Sequence, residues 1–373
     1  MKENKILNVF NGNKKVGTLL LTNDNRIGFA YDEEWIRYGY SISPFSLPLK
    51  SGVFICKKNY FEGLYGVFGD SLPDSWGKLL LNRMLLNNKI NIKNMNILDK
   101  LSIIGSNGMG SLEYKPEYLM ENYEKNIDLD KLSLECQKIL LSEYSEDLDI
   151  IYKMGGSSGG ARPKILTKID DEDWIIKFNS HVDDINIGKI EYEYYLCAIR
   201  CGINMMESRL FPSKINSGYF GTKRFDRVNG KKVHMISVAA LLELDYEAPS
   251  LDYSELMKLV KILTDNNLND ILQMFRRMCF NVFAHNRDDH TKNFSFIYNE
   301  DEHKYRLSPA YDLTYSNTYF GEHTTSINGN GKNPTEEDLI YVGTKAGLNK
   351  TTCIKEISKI RECVLNSLGK YLV

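Results

Sequence analysis

Residues 285–293 read HNRDDHTKN, with two histidines, two aspartates and a lysine in nine positions. Side chains at that density are metal ligands, a general base with helpers, or a solvated turn, and the surroundings help to choose. Ahead lies ILQMFRRMCFNVFAHN, where Ile271, Met274, Phe275, Met278, Cys279, Val282 and Phe283 recur at spacings of three and four, the period of a core helix. Behind it FSFIY and YRLSPA flank NEDEH, a hairpin signal. A loop hung between a buried helix and a hairpin holds its polar groups in fixed places.

Register carries the reading further. A hairpin folded around residue 301 sets Asn293 opposite roughly residue 309 on the return strand. PAYDL then delivers Asp312 close to Asn293 and Asp288. Two such oxygen-bearing side chains can hold a hard cation such as Mg²⁺ while the third acts as a base. Asp288 and Asn293 form D-x-x-x-x-N, the interval of the protein-kinase catalytic loop, where the Asp takes the substrate hydroxyl proton and the Asn holds metal. Alone, that spacing is a weak signal shared with solvated turns. His285 and His290 as transition-metal ligands lack a third partner nearby.

Upstream, GGSSGGARPK at 155–164 offers backbone N–H groups and Lys164. It is neither a Walker A sequence nor G-x-G-x-x-G, and a flexible linker is the plain alternative. Lys177 ends the apolar strand WIIKF, and Glu191 or Glu193 follows on the next helix. A strand lysine with a helical carboxylate is how kinases clamp the α- and β-phosphates. The order of parts matters most: glycine loop, strand lysine, helical glutamate, D-x4-N loop, downstream aspartate.

Composition sets the bounds. A chain of 373 residues needs two or three packed subdomains. With 47 basic and 49 acidic side chains, the net charge of −2 leaves no electrostatic footprint for nucleic acid, and no direct nucleic-acid binding is expected. Seven scattered cysteines without a C-x-x-C pair read as buried reduced thiols. No apolar h-region or membrane-length run appears, so a cytoplasmic protein with no membrane association is expected. Residues 1–115 read as a β-rich subdomain, 116–232 as a lobe with the Gly-rich loop, and 233–373 as a helical lobe. The stretch after WIIKF, apolar at Ile190, Tyr194, Leu196, Ala198 and Ile199, reads as a helix. The C-terminal run puts Ile354, Ile357, Ile360, Val364 and Leu368 on one helical face.

With these parts in order, the chain resembles the HipA-like serine/threonine kinases, toxin components of bacterial toxin–antitoxin pairs. The likeness covers nearly the whole length. It is carried by KKVGTLLL, SLPL, SLPDSWG and IIGSNGMGSL, then by SSGGARPK, WIIKF, YEYYLCAIRCGI, RFDR, NRDDHTKNFSF and SPAYDLTY. The resemblance implies an α+β, two-lobed protein-kinase-like fold, with a β-rich N-terminal subdomain and lobe and a mainly helical C-terminal lobe.

It further implies ATP and Mg²⁺ as cofactors, Asp288 as catalytic base, Asn293 and Asp312 as metal ligands, and His290 and Lys292 as braces of the catalytic loop. Lys177 matches the nucleotide-phosphate lysine and Glu193 its helical partner, while Phe225 sits at the hinge to the adenine pocket. Ser157, Ser158, Gly159, Gly160 and Lys164 form the loop over the phosphates. Ser157, with Ser158 beside it, occupies the family's autophosphorylation position, where modification ejects the loop and disables the enzyme. The implied partners are a protein substrate, an aminoacyl-tRNA synthetase or another translation component, and a DNA-binding HipB-like antitoxin. The adjacent serines and Lys223 depart from the family pattern. Rival readings are a small-molecule kinase, a pseudokinase-like binding module, and a metal phosphohydrolase built on Asp288, Asp289 and His290.

Overall fold

Alternating apolar residues in the first runs of the chain make strands of β1 (Ile6–Asn11), β2 (Lys14–Leu21) and β3 (Ile27–Tyr31). Leu7, Val9, Val16, Leu19 and Phe29 face inward and are fully buried. Gly12, at φ +57°, makes the tight link between β1 and β2, a conformation that costs an L side chain strain. β4 (Val53–Ile55) and β5 (Leu112–Lys115) complete a five-stranded sheet in the order β4-β3-β2-β1-β5. The computed structural model describes residues 4–91, 95–118, 128–157, 159–248, 251–317 and 321–372.

The chain divides into two compact units, the first made of residues 1–188, 210–236 and 240–243, and the second of 189–209, 237–239 and 244–373. A second sheet, order β6-β7-β9-β8, is built from β6 (Lys164–Ile169), β7 (Glu172–Lys177), β8 (Ser208–Phe211) and β9 (Tyr219–Lys223). The helices Ser75–Asn87, Leu129–Leu140 and Leu148–Gly155 share a core with it, in which Trp76, Leu80, Met84, Ile139, Ile151 and Ile176 are buried together. That core runs across residue 115, so segments the sequence assigns to separate subdomains fill one interior.

The second unit is chiefly helical. Its central helix, Leu268–Phe283, starts at Asn267, whose side chain accepts the Asp270 N–H, and buries Ile271, Met274, Phe275, Met278 and Cys279 as the spacing predicts. Phe280 is buried where Val282 and Phe283 were expected. It packs on the Tyr253–Leu263 and Lys350–Leu368 helices. In the C-terminal helix Ile357, Ile360, Val364 and Leu368 face inward, but Ile354 is exposed and Cys353 holds its place. Positions 353, 357, 360, 364 and 368 follow one 3.6-residue stripe, and 354 lies a step of about 100° off it. No helix among the described residues is long and apolar enough to cross a membrane.

Candidate active site

The central helix ends at Ala284, and His285 reverses the chain at φ +51°. The HNRDDHTKN loop is then fixed from behind by buried polar contacts. Asn286 donates to Asn281 Oδ1 at 2.9 Å, Asn281 donates to the Tyr253 hydroxyl at 2.9 Å, and that hydroxyl donates to Asp289 Oδ2 at 3.0 Å. His323 Nδ1 stands 2.9 Å from the same carboxylate oxygen, and the Thr325 N–H donates to Asp289 Oδ1 at 3.2 Å. Burial, then the charge of Asp289, pushes the Tyr253 phenol well above its ordinary pKa. Asp289 is therefore an anchor, its carboxylate spent within the protein. That removes the phosphohydrolase reading, which needs Asp289 at the reacting centre.

Asp288 faces the other way. Its side chain is 51% exposed, whereas that of Asp289 is fully enclosed. A short 3₁₀ turn, Thr291–Asn293, folds back so that Asn293 Nδ2 donates to the Asp288 carbonyl at 2.7 Å. The amide nitrogen is occupied there, which leaves the amide oxygen as the end suited to a hard cation. His290 Nδ1 accepts the Lys292 N–H at 3.2 Å, which assigns the proton to Nε2, 3.8 Å from Asp288 Oδ1. Lys292 Nζ lies 4.3 Å over the ring of Tyr246, which also packs near His290. Tyr246 has no sequence signal marking it.

The hairpin Ser295–Asn299 with Lys304–Leu307 pairs Phe296 with Leu307 and Tyr298 with Tyr305. Continuing that pairing sets Asn293 across from Ala310, one residue from the expected position. The Tyr311 hydroxyl then donates to the Lys292 carbonyl at 2.7 Å and meets the Ser295 hydroxyl at 2.5 Å. Past Asp312, Ser316 donates its N–H to the His285 carbonyl at 3.0 Å. Asp312 is held between these two clamps at φ +53°. A non-glycine residue in the left-handed region is strained and is retained at sites that need a side chain aimed in one direction.

The glycine loop belongs to the first unit and is more enclosed than its composition implies. Gly155 and Gly156 end a helix and are buried, and a Cβ on Gly155 would stand 2.4 Å from the Lys164 carbonyl. Ser157 is 6% exposed and its hydroxyl donates to the Asn107 carbonyl at 2.6 Å. The Gly160 N–H donates to Asp74 Oδ2 at 2.9 Å, and Lys164 Nζ donates to the Gly159 carbonyl. Ser158 lies outside the described residues. The flexible-linker reading therefore fails for the described part of the loop, since side-chain and backbone partners hold it from both ends.

Lys164 and Lys177 are direct partners across β6 and β7. Like charges opposite each other destabilise an antiparallel pair unless an anion lies between them. Lys177 Nζ lies 5.6 Å over the Phe220 ring. Phe225 is half-buried in the turn after β9. Its neighbours form a clamp the sequence does not announce. Arg224 and Arg227 both pair with the fully buried Asp226 carboxylate, at 2.7 and 2.9 Å. Asp226 Oδ2 also accepts the Gly110 N–H at 2.6 Å, and Arg227 donates to the Gly108 and Gly110 carbonyls. The turn at 107–110 is thus gripped by the RFDR segment and by Ser157.

The helix Ile187–Arg200 turns inward through Glu191, Tyr194, Cys197 and Ala198, while the apolar Leu196 and Ile199 are exposed. Glu191 is 4% exposed. Glu193 is taken up elsewhere: its carboxylate lies 2.6 Å from Lys370 Nζ and accepts the Tyr371 hydroxyl at 2.9 Å. Burial pushes the Glu193 carboxyl up, but the Lys370 and Tyr371 hydrogen bonds outweigh it and hold the pKa below the ordinary value.

Comparisons with known proteins bear on the family and the fold. Residues 156–368 match the HipA-like C-terminal domain, and residues 7–115 match the HipA N-terminal domain. Two relatives are proteins of Sinorhizobium fredii. "Putative kinase Y4mE" is 23% identical over 84% of this chain and 78% of its own length. "Putative kinase Y4dM" is 27% identical over 48% of each chain, so the chain spans about half the length of that relative. Among solved structures, HipA of Shewanella oneidensis, seen with HipB and its operator DNA, superposes with a TM-score of 0.73 at 16% identity, over 98% of this chain and 90% of that one. The fold is therefore the kinase-like α+β fold of HipA, and the chain belongs to the HipA-like family.

Proposed function

We propose that this chain is an ATP- and Mg²⁺-dependent serine/threonine protein kinase of the HipA toxin type. The observation that carries the reading is the closure of Asp288 and Asn293 into one tight turn. It places an exposed carboxylate beside an amide whose nitrogen is already occupied. The strained Asp312 lies between hydrogen bonds that tie its segment to Lys292 and His285 of the same loop. Asn293 and Asp312 would hold Mg²⁺, which when bound would neutralise charge on the phosphates of ATP, the phosphoryl donor. Asp288 accepts the hydroxyl proton of the incoming serine or threonine, and its exposure lets a protein hydroxyl reach it. His290 and Lys292 keep the loop in shape. Lys177 and Lys164 provide the cationic pair for the phosphates, with Gly159 and Gly160 giving backbone around them. Glu191, the buried carboxylate of its helix, is a stronger candidate for the nucleotide side than Glu193.

The substrate is a protein of the translation machinery, and the partner is a DNA-binding HipB-like antitoxin. The chain's own balanced charge leaves DNA contact to that partner. Ser157 or Ser158 is the autophosphorylation site. A phosphate of nearly two negative charges cannot occupy the buried seat of the Ser157 hydroxyl against a carbonyl oxygen, so modification expels the loop.

Incubation with labelled ATP and magnesium tests the assignment. Wild type is expected to incorporate label on the loop serines, and Asp288→Asn and Asp312→Asn are expected to incorporate none. Asparagine tolerates φ +53°, so Asp312→Asn removes the charge without straining the turn. Equal labelling of all three proteins rejects the reading.

A further inference from the structure

The second unit carries a cluster that phosphoryl transfer does not use. Cys197 lies in the last turn of the Ile187–Arg200 helix, and Cys201 follows just past its end. Cys363 comes from the Lys350–Leu368 helix. The three Sγ atoms all lie within 4.8 Å of one another, with Cys197 and Cys363 at 4.0 Å. Cys197 and Cys201 are fully buried, and Cys363 is partly exposed. Among the described residues no other set of three histidine, cysteine or acidic side chains converges in this way.

We infer that Cys197, Cys201 and Cys363 form a structural site for a thiophilic d¹⁰ cation, zinc foremost, that fastens the Ile187–Arg200 helix to the C-terminal helix. A triangle of sulfurs 4.0 Å on edge has its centre about 2.3 Å from each corner, which is the length of a zinc–thiolate bond. At an edge of 4.8 Å the centre lies about 2.8 Å away, so side-chain rotation of about half an ångström closes the site. A tetrahedral ion would take its fourth, oxygen donor from water or from Ser367, one turn beyond Cys363 on the same helix.

The bland reading, buried thiols acting as small apolar groups, predicts sulfurs dispersed among hydrocarbon. Here each points at another thiol or at a carbonyl: Cys197 Sγ is 3.7 Å from the Cys363 carbonyl, and Cys363 Sγ is 3.9 Å from that of Cys197. A disulfide would use two sulfurs, which must close to about 2.05 Å, and would strand the third. Thiolate ligands with no carboxylate or imidazole select zinc or copper(I) over magnesium or calcium. On binding, three S–H bonds break, three metal–sulfur bonds form and three protons leave to water, with no redox change. The exposed edge of Cys363 gives the ion a way in. One turn before Cys197, Glu193 is held by Lys370 and Tyr371, so the metal and that ion pair would secure the same two elements.

The test uses the full chain, reduced and stripped with a chelator. Titration with Cd²⁺ is expected to raise a thiolate-to-metal charge-transfer band that saturates at one equivalent and is displaced by excess Zn²⁺. Cys197→Ser and Cys363→Ser are expected to lose the band, and Cys56→Ser to keep it. A second measurement needs no variant. Alkylation with mass spectrometry under mild denaturant should show Zn²⁺ protecting Cys197, Cys201 and Cys363 together while Cys279 and Cys353 react as before. No band at several equivalents of Cd²⁺, a band that survives in Cys197→Ser and Cys363→Ser, or Zn²⁺ uptake without joint protection of the three thiols overturns the site.

Discussion

Asp288 is half exposed, while Asp289, one residue on, is enclosed, accepts hydrogen bonds from Tyr253 and Thr325 and faces His323. Their substitutions therefore part company. Asp288→Asn should lower phosphoryl transfer by about 10²–10⁴-fold, the usual contribution of a positioned base, with an unchanged melting temperature. Asp289→Asn should cost about 3 kcal/mol, read as a lower urea midpoint, because it breaks a fully buried charge network. His234 is a second case where burial sets the chemistry. It is enclosed with Nε2 2.9 Å from the Ile42 carbonyl, and burial lowers its pKa from 6.5 to about 4. The unfolded chain thus takes up the proton first, so stability is full above about pH 6.5 and falls as pH drops toward 4. The loss reaches roughly 3 kcal/mol for the whole interval. Urea unfolding of wild type and His234→Gln at pH 7 and pH 4.5 checks this: the wild type should lose more, and equal losses would remove His234 as the cause.

At the scale of elements, local spacing made the central helix, the hairpin and the loop at 285–293 between them legible, and the register came within one residue because a hairpin has few ways to close. Helix faces were harder. An apolar count marks Leu196 and Ile199 on the Ile187–Arg200 helix, yet both are exposed and the inner face carries Glu191, since a buried carboxylate is invisible to an apolar tally. Ile354 failed the same way against Cys353. The Arg224–Asp226–Arg227 clamp, the Tyr246 brace and the partners of Asp289 depend on contacts far along the chain, which periodicity does not encode. The helix register separates the two glutamates experimentally. Glu191→Gln should raise KM for ATP about tenfold or more, given about 1.5–3 kcal/mol for a charge-assisted contact. Glu193→Gln should leave KM alone and lower the melting temperature through lost contacts with Lys370 and Tyr371. Steady-state kinetics on both variants decides between them.

For the molecule as a whole, the interior of the first unit is assembled from both sides of residues 119–127. Trp76, Leu80 and Met84 come from before that stretch, and Ile151, Ile165 and Ile176 from after it. Replacing Trp76 with alanine should cost about 3–5 kcal/mol, and calorimetry should see it although Trp76 is remote from the catalytic loop in sequence. Packing between the two segments stabilises this interior, and covalent connection raises their mutual concentration. Two polypeptides, 1–118 and 128–373, produced in one cell should therefore purify as a single species, while 128–373 alone should bind a hydrophobic dye and aggregate. Joining the two segments in one chain supplies an effective concentration, whereas separate pieces assemble only as far as their own concentrations allow. An interior filled by two segments can thus be assembled from one gene or from two, the second route being limited by concentration.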